Sequence, residues 1–226
     1  MLGIVTGLEL ERKLVLQTFQ KTGRTVPLLA CAAGTVEGAR HAARALIDQG
    51  ATRLISFGVC GGLSEGIDTG DLIVPRTVMM ESETLSLDSE WLESLSRHLP
   101  ETKSGALISV SEAVTTPEAK AQLHSQSGAV AVDVESFAIA KAAREAGLPC
   151  LVIRAVLDPA YQALPQAALN GINAKGETQF WPVIKGLMRR PQDLPDLIRL
   201  GQQNKRACGV LVRAVEACGG FQPVNV

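Results

Sequence analysis

Four stretches of this chain carry residues equipped for acid–base or electrostatic chemistry, and each follows an apolar run. They are Glu9 with Glu11, the glycine-rich Gly58-Val59-Cys60-Gly61-Gly62, Asp133 with Glu135, and Arg154 with Asp158. Asp158 stands between Leu157 and Pro159, at the end of an apolar run interrupted only by Arg154. Burial in such a run raises a carboxyl pKa, the condition for a general acid at neutral pH. Arg154 must find a carboxylate or an anionic or polar ligand, because an unpaired buried guanidinium is very costly. Glu11 and Glu135 are its candidate partners. Each residue also has a plainer reading. Acids in a helix's first turn most often answer the macrodipole or face solvent. Asp158 could cap a turn before Pro159 or form a structural pair with Arg154, and the glycines could make only a tight strand-to-helix turn. Their spacing does not match the G-x-G-x-x-G dinucleotide fingerprint. His41, His98 and His124 stand alone, none at metal-ligand spacing with another His or Cys, so no metal site is expected.

The elements that must position these groups are legible from periodicity. Val130–Ala160 reads as strand, alanine-rich helix, a Gly147-Leu148-Pro149 turn, and a second strand from Cys150 to Val156 that delivers Asp158. Two parallel strands joined by a helix would bring Glu135 and Asp158 to one carboxyl edge of a sheet, where ligands bind in open α/β folds. Earlier in the chain, strands are expected at Leu2–Thr6, Val26–Ala32, Arg53–Phe57 and Asp71–Pro75, with helices carrying Glu9 and Glu11 and spanning about Val36–Gln49. Met80–Pro100 is acidic and serine-rich, with one amphipathic helix near Ser89–Leu99. Gly105–Val110 is a strand, and Thr116-Pro117 opens a helix as N-cap and N1. Beyond about residue 162 only helices are expected, near Asn173–Met188 and Leu194–Cys218. The alternation predicts an α/β three-layer α/β/α sandwich around a central mixed sheet, a single domain over 1–226 with a helical C-terminal extension.

Bulk properties narrow the function. With 226 residues, 46% apolar and 20% charged, the chain can bury a sizeable core. A formal charge of -1 and a pI near 6.3 exclude a dedicated nucleic-acid surface. The five cysteines form no CxxC pair, which fits buried thiols in a reducing cytoplasm. No secretory signal or membrane-spanning run is read.

At the chemically equipped residues the chain resembles the nucleoside phosphorylase/nucleosidase superfamily, which includes purine and uridine phosphorylases and the methylthioadenosine/adenosylhomocysteine nucleosidases. The matching stretches are GIVTGLELE, SFGVCGGLSEGIDTGDLIVP, AVDVESFAIA and LVIRAVLDPA. The resemblance implies cleavage of an N-glycosidic bond without metal or organic cofactor. Under it, Asp158 protonates or hydrogen-bonds purine N7, Glu135 grips the ribose 2′- and 3′-hydroxyls, and Glu11 and Arg154 hold and activate the attacking water. Val114 falls beside the purine, Val134 beneath the ribose, and Gly58, Val59 and Gly61 belong to the substrate-binding stretch.

The departures from that pattern are informative. The superfamily's phosphorylases carry Arg two residues before the first glycine and Ser or Thr directly after it, both binding phosphate; here these are Ser56 and Val59. Losing a guanidinium and a hydroxyl costs an anion site a few kcal/mol. Water is therefore the expected nucleophile, with a phosphate-using purine nucleoside phosphorylase as the alternative. Leu157 replaces a serine common before the acid, and Val114 an aromatic common over the base. A non-catalytic nucleoside-binding protein is the alternative those two losses raise.

The tail, QALPQAALNGINAKG and MRRPQDLPDLIRL, resembles the hopanoid-biosynthesis-associated phosphorylase branch, which implies adenosylhopane as substrate and ribosyl-hopane plus adenine as products. Phe180, Trp181, Ile184, Leu187 and Met188, closed by Arg189-Arg190, recur at helical spacing. They are read either as a core-packed helix or as an apolar wall for a lipid at the ribose 5′ side, touching the membrane periphery. A homodimer is implied by the resemblance alone.

Overall fold

A computed structural model describes residues 1–99, 101–165, 176 and 191–221. Ten strands form one mixed sheet, and the long β3 (Arg53–Gly62) is its axis. On one side β3 is paired in parallel with β10 (Cys150–Asp158) along nearly its whole length. On the other side its first half pairs in parallel with β1 (Leu2–Thr6), Leu2 opposite Arg53 and Thr6 opposite Phe57. Its last two residues pair antiparallel with β9 (Ala131–Asp133), Gly61 opposite Val132 and Gly62 opposite Ala131. Between these partners, Gly58 to Cys60 have no strand on that side.

This split organises the molecule. β1 runs up towards it and β9 runs down towards it, so their carboxyl ends face each other across the gap. The helices that follow, α1 (Glu9–Lys21) and α5 (Ser136–Glu145), both start at its rim.

β2 (Leu28–Cys31) lies outside β1, and the rest of the sheet runs β6-β5-β8-β9 on one flank and β10-β4-β7 on the other. These are β4 (Leu72–Ile73), β5 (Thr77–Met80), β6 (Glu83–Ser86), β7 (Thr102–Lys103) and β8 (Ala106–Ser109). Alternate β3 side chains serve opposite faces. Ser56 meets Ser136 of α5, whereas Phe57 packs on Phe221 beyond α6 (Leu194–Ala217). Helices α2 (Val36–Asp48) and α5 accordingly pack together against one face and α1 and α6 against the other. The core between them includes Ile4, Val5, Leu54, Ile55, Phe57 and Leu151 to Ile153, all without solvent exposure. Burying such a side chain contributes roughly 1.5–3 kcal/mol.

Local signals terminate the elements as their chemistry requires. Thr35, Asp88 and Thr116 cap α2, α3 (Ser89–Ser96) and α4 (Pro117–Ser127), each accepting a backbone N–H. Gly128 closes α4 in the left-handed conformation, φ 67°.

Three expectations need correction. Gly58–Gly62 is not a loop: it continues β3, because β10 supplies hydrogen-bond partners along it. The strands bracketing α5 are not parallel neighbours, since β9 is antiparallel to β3 and β10 parallel to it. The acidic stretch near residue 80 holds an unforeseen hairpin of β5 and β6, turning at Glu81 with φ 52°. Its serines, methionines and glutamates give little strand signal. Of the helix expected at Asn173–Met188 only Gly176 is described, in a bend with φ 73°; the rest lies outside the described residues. Among the described residues, no helix is long and apolar enough to cross a membrane.

Candidate active site

Glu11 and Arg154 converge on Gly58, the residue at the sheet split, and Glu135 joins them through Arg154 and at Gly7. A Cβ on Gly58 would stand 2.6 Å from both Arg154 Nη1 and Glu11 Oε1. A Cβ on Gly7, just past β1, would stand 2.9 Å from Glu135 Oε1 and 3.4 Å from Glu11 Oε2. The two glycines are thus required by close approach: the space their side chains would fill holds the charged groups.

Glu11 is buried and doubly held. Leu8 N–H donates to Oε2 at 2.8 Å, the reach-back of an N3 glutamate to its helix N-terminus. Val59 N–H, turned to the open side of β3, donates to Oε1 at 2.8 Å. The first bond satisfies the plain capping reading; the second, across 48 residues, does not belong to it. Burial raises the pKa of Glu11, opposed by Arg154 and the backbone N–H groups.

Arg154 sits opposite Gly58 on β10 and is 1% exposed. Its Nη2 meets Asp133 at 2.8 Å, Ser56 at 2.9 Å, and Glu135 and Ser136 at 3.1 Å. The expected partners were Glu11 and Glu135; Asp133 is the closest acid. Asp133 is itself anchored by Ser109 at 2.6 Å and Ser136 at 2.5 Å. Burial works against the Arg154 charge, but Asp133, Glu135 and Glu11 outweigh it and raise its pKa above the ordinary range. Glu135 is pushed up to about 7 by burial, against Arg154 and with Asp133 and Glu11.

Asp158 forms a second station. A bulge at Leu157 shifts the register so that Asp158 lies opposite Gly61, three residues along β3 from the Gly58 cluster, or about 10 Å. Arg154 does not reach it. Its partner is Lys120 of α4, with Nζ 2.5 Å from Oδ2 and both side chains buried. Burial pushes Asp158 up to about 6, with Lys120 holding it back. Asp158 thus has an ammonium group as hydrogen-bond partner although a leucine precedes it.

The partly exposed residues lie at and beside the two stations. Val59, Gly61, Val114 and Val134 are all half-buried. Val114, in the loop after β8, packs on the patch of Leu63, Ile108, Ala129 and Val132. A Cβ on Gly61 would meet Val132 at 3.2 Å and Asp158 at 3.4 Å, so this apolar patch borders the acid. The histidines are elsewhere: His41 pairs with Glu37, and the rings of His98 and His124 bond carbonyls of Ser94 and Ala129. Two hollows of about 570 and 440 Å³ lie on other surfaces and include none of the four charged groups.

Sequence reasoning passed over Lys120 and the role of Asp133. Asp133 had a signal, since two residues before Glu135 in an extended chain it shares that side chain's face. Lys120 had none, because α4 is polar all round and Lys120 is its one buried residue.

The mixed-sheet fold is shared with solved structures of two nucleosidases and a hydrolase. The chain superposes on the 5′-methylthioadenosine/S-adenosylhomocysteine nucleosidase of Neisseria meningitidis, in complex with methylthio-immucillin-A, with TM-score 0.72 and 17% identity over 98% of this chain and 99% of that one. For the futalosine hydrolase of Helicobacter pylori the values are 0.68 and 16%, over 95% and 97%. For the S-adenosylhomocysteine nucleosidase of Streptococcus pyogenes they are 0.67 and 16%, over 95% of each. These likenesses establish the fold. No curated protein matches the sequence. The profile of the Phosphorylase superfamily matches residues 5–178, and the chain belongs to that family.

The raised pKa of Glu135 has a measurable consequence for stability. Its folded value, about 7, exceeds the reference 4.5, so the folded state holds this proton more tightly than the unfolded chain. That contribution is complete below pH 4.5 and is lost as pH rises through 7. Wild type should therefore lose on the order of 3 kcal/mol between pH 5 and 8 that Glu135→Gln, with nothing to ionise there, does not lose. Thermal denaturation of both proteins across that range checks it; parallel curves would refute it.

Proposed function

We propose that this protein hydrolyses the N-glycosidic bond of an adenine nucleoside carrying a modified 5′ position, with water as nucleophile. The observation that carries the choice of water is the seat of Glu11. Its carboxylate accepts the Val59 N–H, which faces the open side of β3 where a phosphate oxygen would need donors. Ser56, at the position of the phosphorylases' arginine, is buried and committed to Arg154 and Ser136. The one guanidinium is already taken up by Asp133, Glu135, Ser56 and Ser136 and offers little to a further anion, whereas a water can both donate to and accept from such a set.

In this reading Asp158 gives its proton to purine N7, and the C1′–N9 bond breaks with its electron pair leaving on adenine. Such a proton transfer contributes about 10²–10⁴-fold in rate. Glu135 holds the ribose hydroxyls and places negative charge near the developing oxocarbenium ion. Glu11 takes the proton of the water that adds to C1′, and Arg154 keeps Glu135 and the adjacent backbone in place. Val134 lies beneath the ribose and Val114 beside the base. Val59 and Gly61 line the path between the stations, and Gly58 makes room for Glu11 and Arg154.

The resemblance of the tail supports adenosylhopane as the particular substrate, giving ribosyl-hopane and adenine in hopanoid biosynthesis. The first turns of α6 are in keeping with a lipid-linked ligand, leaving Leu194 and Ile198 about half exposed. We place the protein in the cytoplasm, as a homodimer with its C-terminal segment at the membrane periphery. Against the non-catalytic alternative, Lys120 supplies Asp158 with the partner that Leu157 does not.

The test is release of free adenine from adenosine, 5′-deoxyadenosine and 5′-alkyl adenosines of increasing length, each with and without phosphate. Hydrolysis is expected without phosphate, with kcat/KM rising with chain length. Phosphate-stimulated formation of a ribosyl-1-phosphate would establish the phosphorylase reading instead.

A further inference from the structure

Lys120 is the one lysine among the buried polar and charged residues described, and the one fully buried residue of α4. Its Nζ lies 2.5 Å from Asp158 Oδ2, 2.9 Å from Pro159 O and 2.9 Å from Gln162 O, with Asp158 O farther off at 3.5 Å. An ammonium has three protons, and three close acceptors use all of them.

A tie between α4 and the end of β10 does not need a charge. Replacing a buried ion pair by well-packed apolar side chains is often neutral or stabilising. The ammonium is placed on the acid's Oδ2, and its remaining bonds fix the backbone on the acid's far side. Gln162 continues the tie: its side chain pairs with Gln203 of α6, which reaches Thr69, whose hydroxyl holds Leu157 O. The carboxyl is therefore clamped from both ends of the 157–162 turn.

We propose that Lys120 is the positioning residue of the acid: it anchors Oδ2, so that the proton given to the base travels on Oδ1, and it stabilises the carboxylate left behind. The inference rests on the assignment of Asp158 as general acid. The step balances without any further reactant. The Oδ1–H bond breaks as the N7–H bond forms, and the C1′–N9 electron pair departs with adenine. Asp158 becomes a carboxylate beside an ammonium that stays protonated throughout. The water proton taken by Glu11 returns through solvent to recharge Asp158. The geometry accords with the pKa of Asp158, which stays near 6 despite burial because Lys120 opposes that burial.

The experiment is a set of pH–rate profiles of adenine release from 5′-deoxyadenosine for wild type, Lys120→Met and Lys120→Arg, together with a 13C titration of the Asp158 carboxyl in the free proteins. A general acid works protonated, so kcat falls as pH rises through its pKa. An opposite charge at this range lowers a carboxyl pKa by about 1–3 units. Lys120→Met should therefore move the basic limb and the carboxyl midpoint up by about 1–3 pH units, cut maximal kcat about tenfold or more, and change KM less than about threefold. Lys120→Arg should restore both midpoints. A lowered melting temperature with unmoved midpoints would show a merely structural tie and overturn the proposal. Should the Met variant not fold, the wild type still decides. Its Lys120 15Nζ resonance should inflect at the midpoint of the basic limb, and its failure to do so overturns the proposal. Asp158→Asn separates the two levels. If it retains turnover, the acid assignment itself fails; if it is inactive while the Lys120→Met limb is unmoved, only the role of Lys120 fails.

Discussion

Asp158→Asn should release adenine about 10²–10⁴-fold more slowly than wild type while binding the nucleoside with little change. The split between rate and affinity follows from what the substitution removes. Asparagine keeps the shape, and its carbonyl still accepts the Lys120 ammonium that now meets Oδ2 at 2.5 Å. The buried cation is not left bare, and the 157–162 turn keeps its anchor through Pro159 O and Gln162 O. What is lost is the transferable proton, so adenine must depart as an anion. The ribose contacts proposed for Glu135 lie about 10 Å away along β3 and are untouched. Single-turnover adenine release and calorimetric nucleoside binding measure the two quantities separately; full turnover in the variant would sink the assignment.

Glu11→Gln should abolish most hydrolysis by a different route and also weaken the fold. Glu11 accepts two N–H groups, from Leu8 and Val59, each at 2.8 Å. Glutamine has one carbonyl oxygen, so its NH2 must face one of those donors. A buried N–H left without an acceptor costs about 1–3 kcal/mol. The variant also lacks a base to take the proton of water, a loss of about 10²–10⁴-fold. Steady-state release of adenine together with denaturant unfolding should show both effects. Wild-type rates from a destabilised protein would reduce Glu11 to a capping residue.

The two substitutions probe residues of unequal legibility. Asp158 and Arg154 could be read because each interrupts an apolar strand, where an ionisable group must be compensated. Glu11 and Glu135 could be read as candidate partners of Arg154, and Glu135 as a strand-end carboxylate, but their roles only by resemblance, since an acid early in a helix has an ordinary explanation. The mixed α/β fold followed from strand and helix periodicities, which are local properties of the chain. Leu2–Thr6 and the cap at Thr116-Pro117 are found where those properties place them.

Long-range pairing was not readable in the same way. A parallel strand–helix–strand unit would bring Glu135 and Asp158 to one sheet edge, but β9 runs against β3. The carboxylates instead occupy two levels of one strand. That direction depends on which strand Ala131–Asp133 pairs with, and a three-residue strand contains too little pattern to choose. The Arg154–Asp133 contact and the Lys120–Asp158 pair are of the same kind. They join residues 21 and 38 positions apart, and nothing in the polar surface of α4 distinguishes Lys120 from a solvated lysine.

The sequence by itself determined the residue types available for chemistry, the elements that carry them, and the absence of an arginine beside the glycine stretch. Only the tertiary structure decided that β1 and β9 end face to face at Gly58, that Glu11 caps the freed Val59 N–H, and that the acid is clamped by a lysine. The physical reason is the range of the forces. Propensity and amphipathic period act within a few residues, whereas a buried charge takes its partner from whichever element packing brings within about 3 Å.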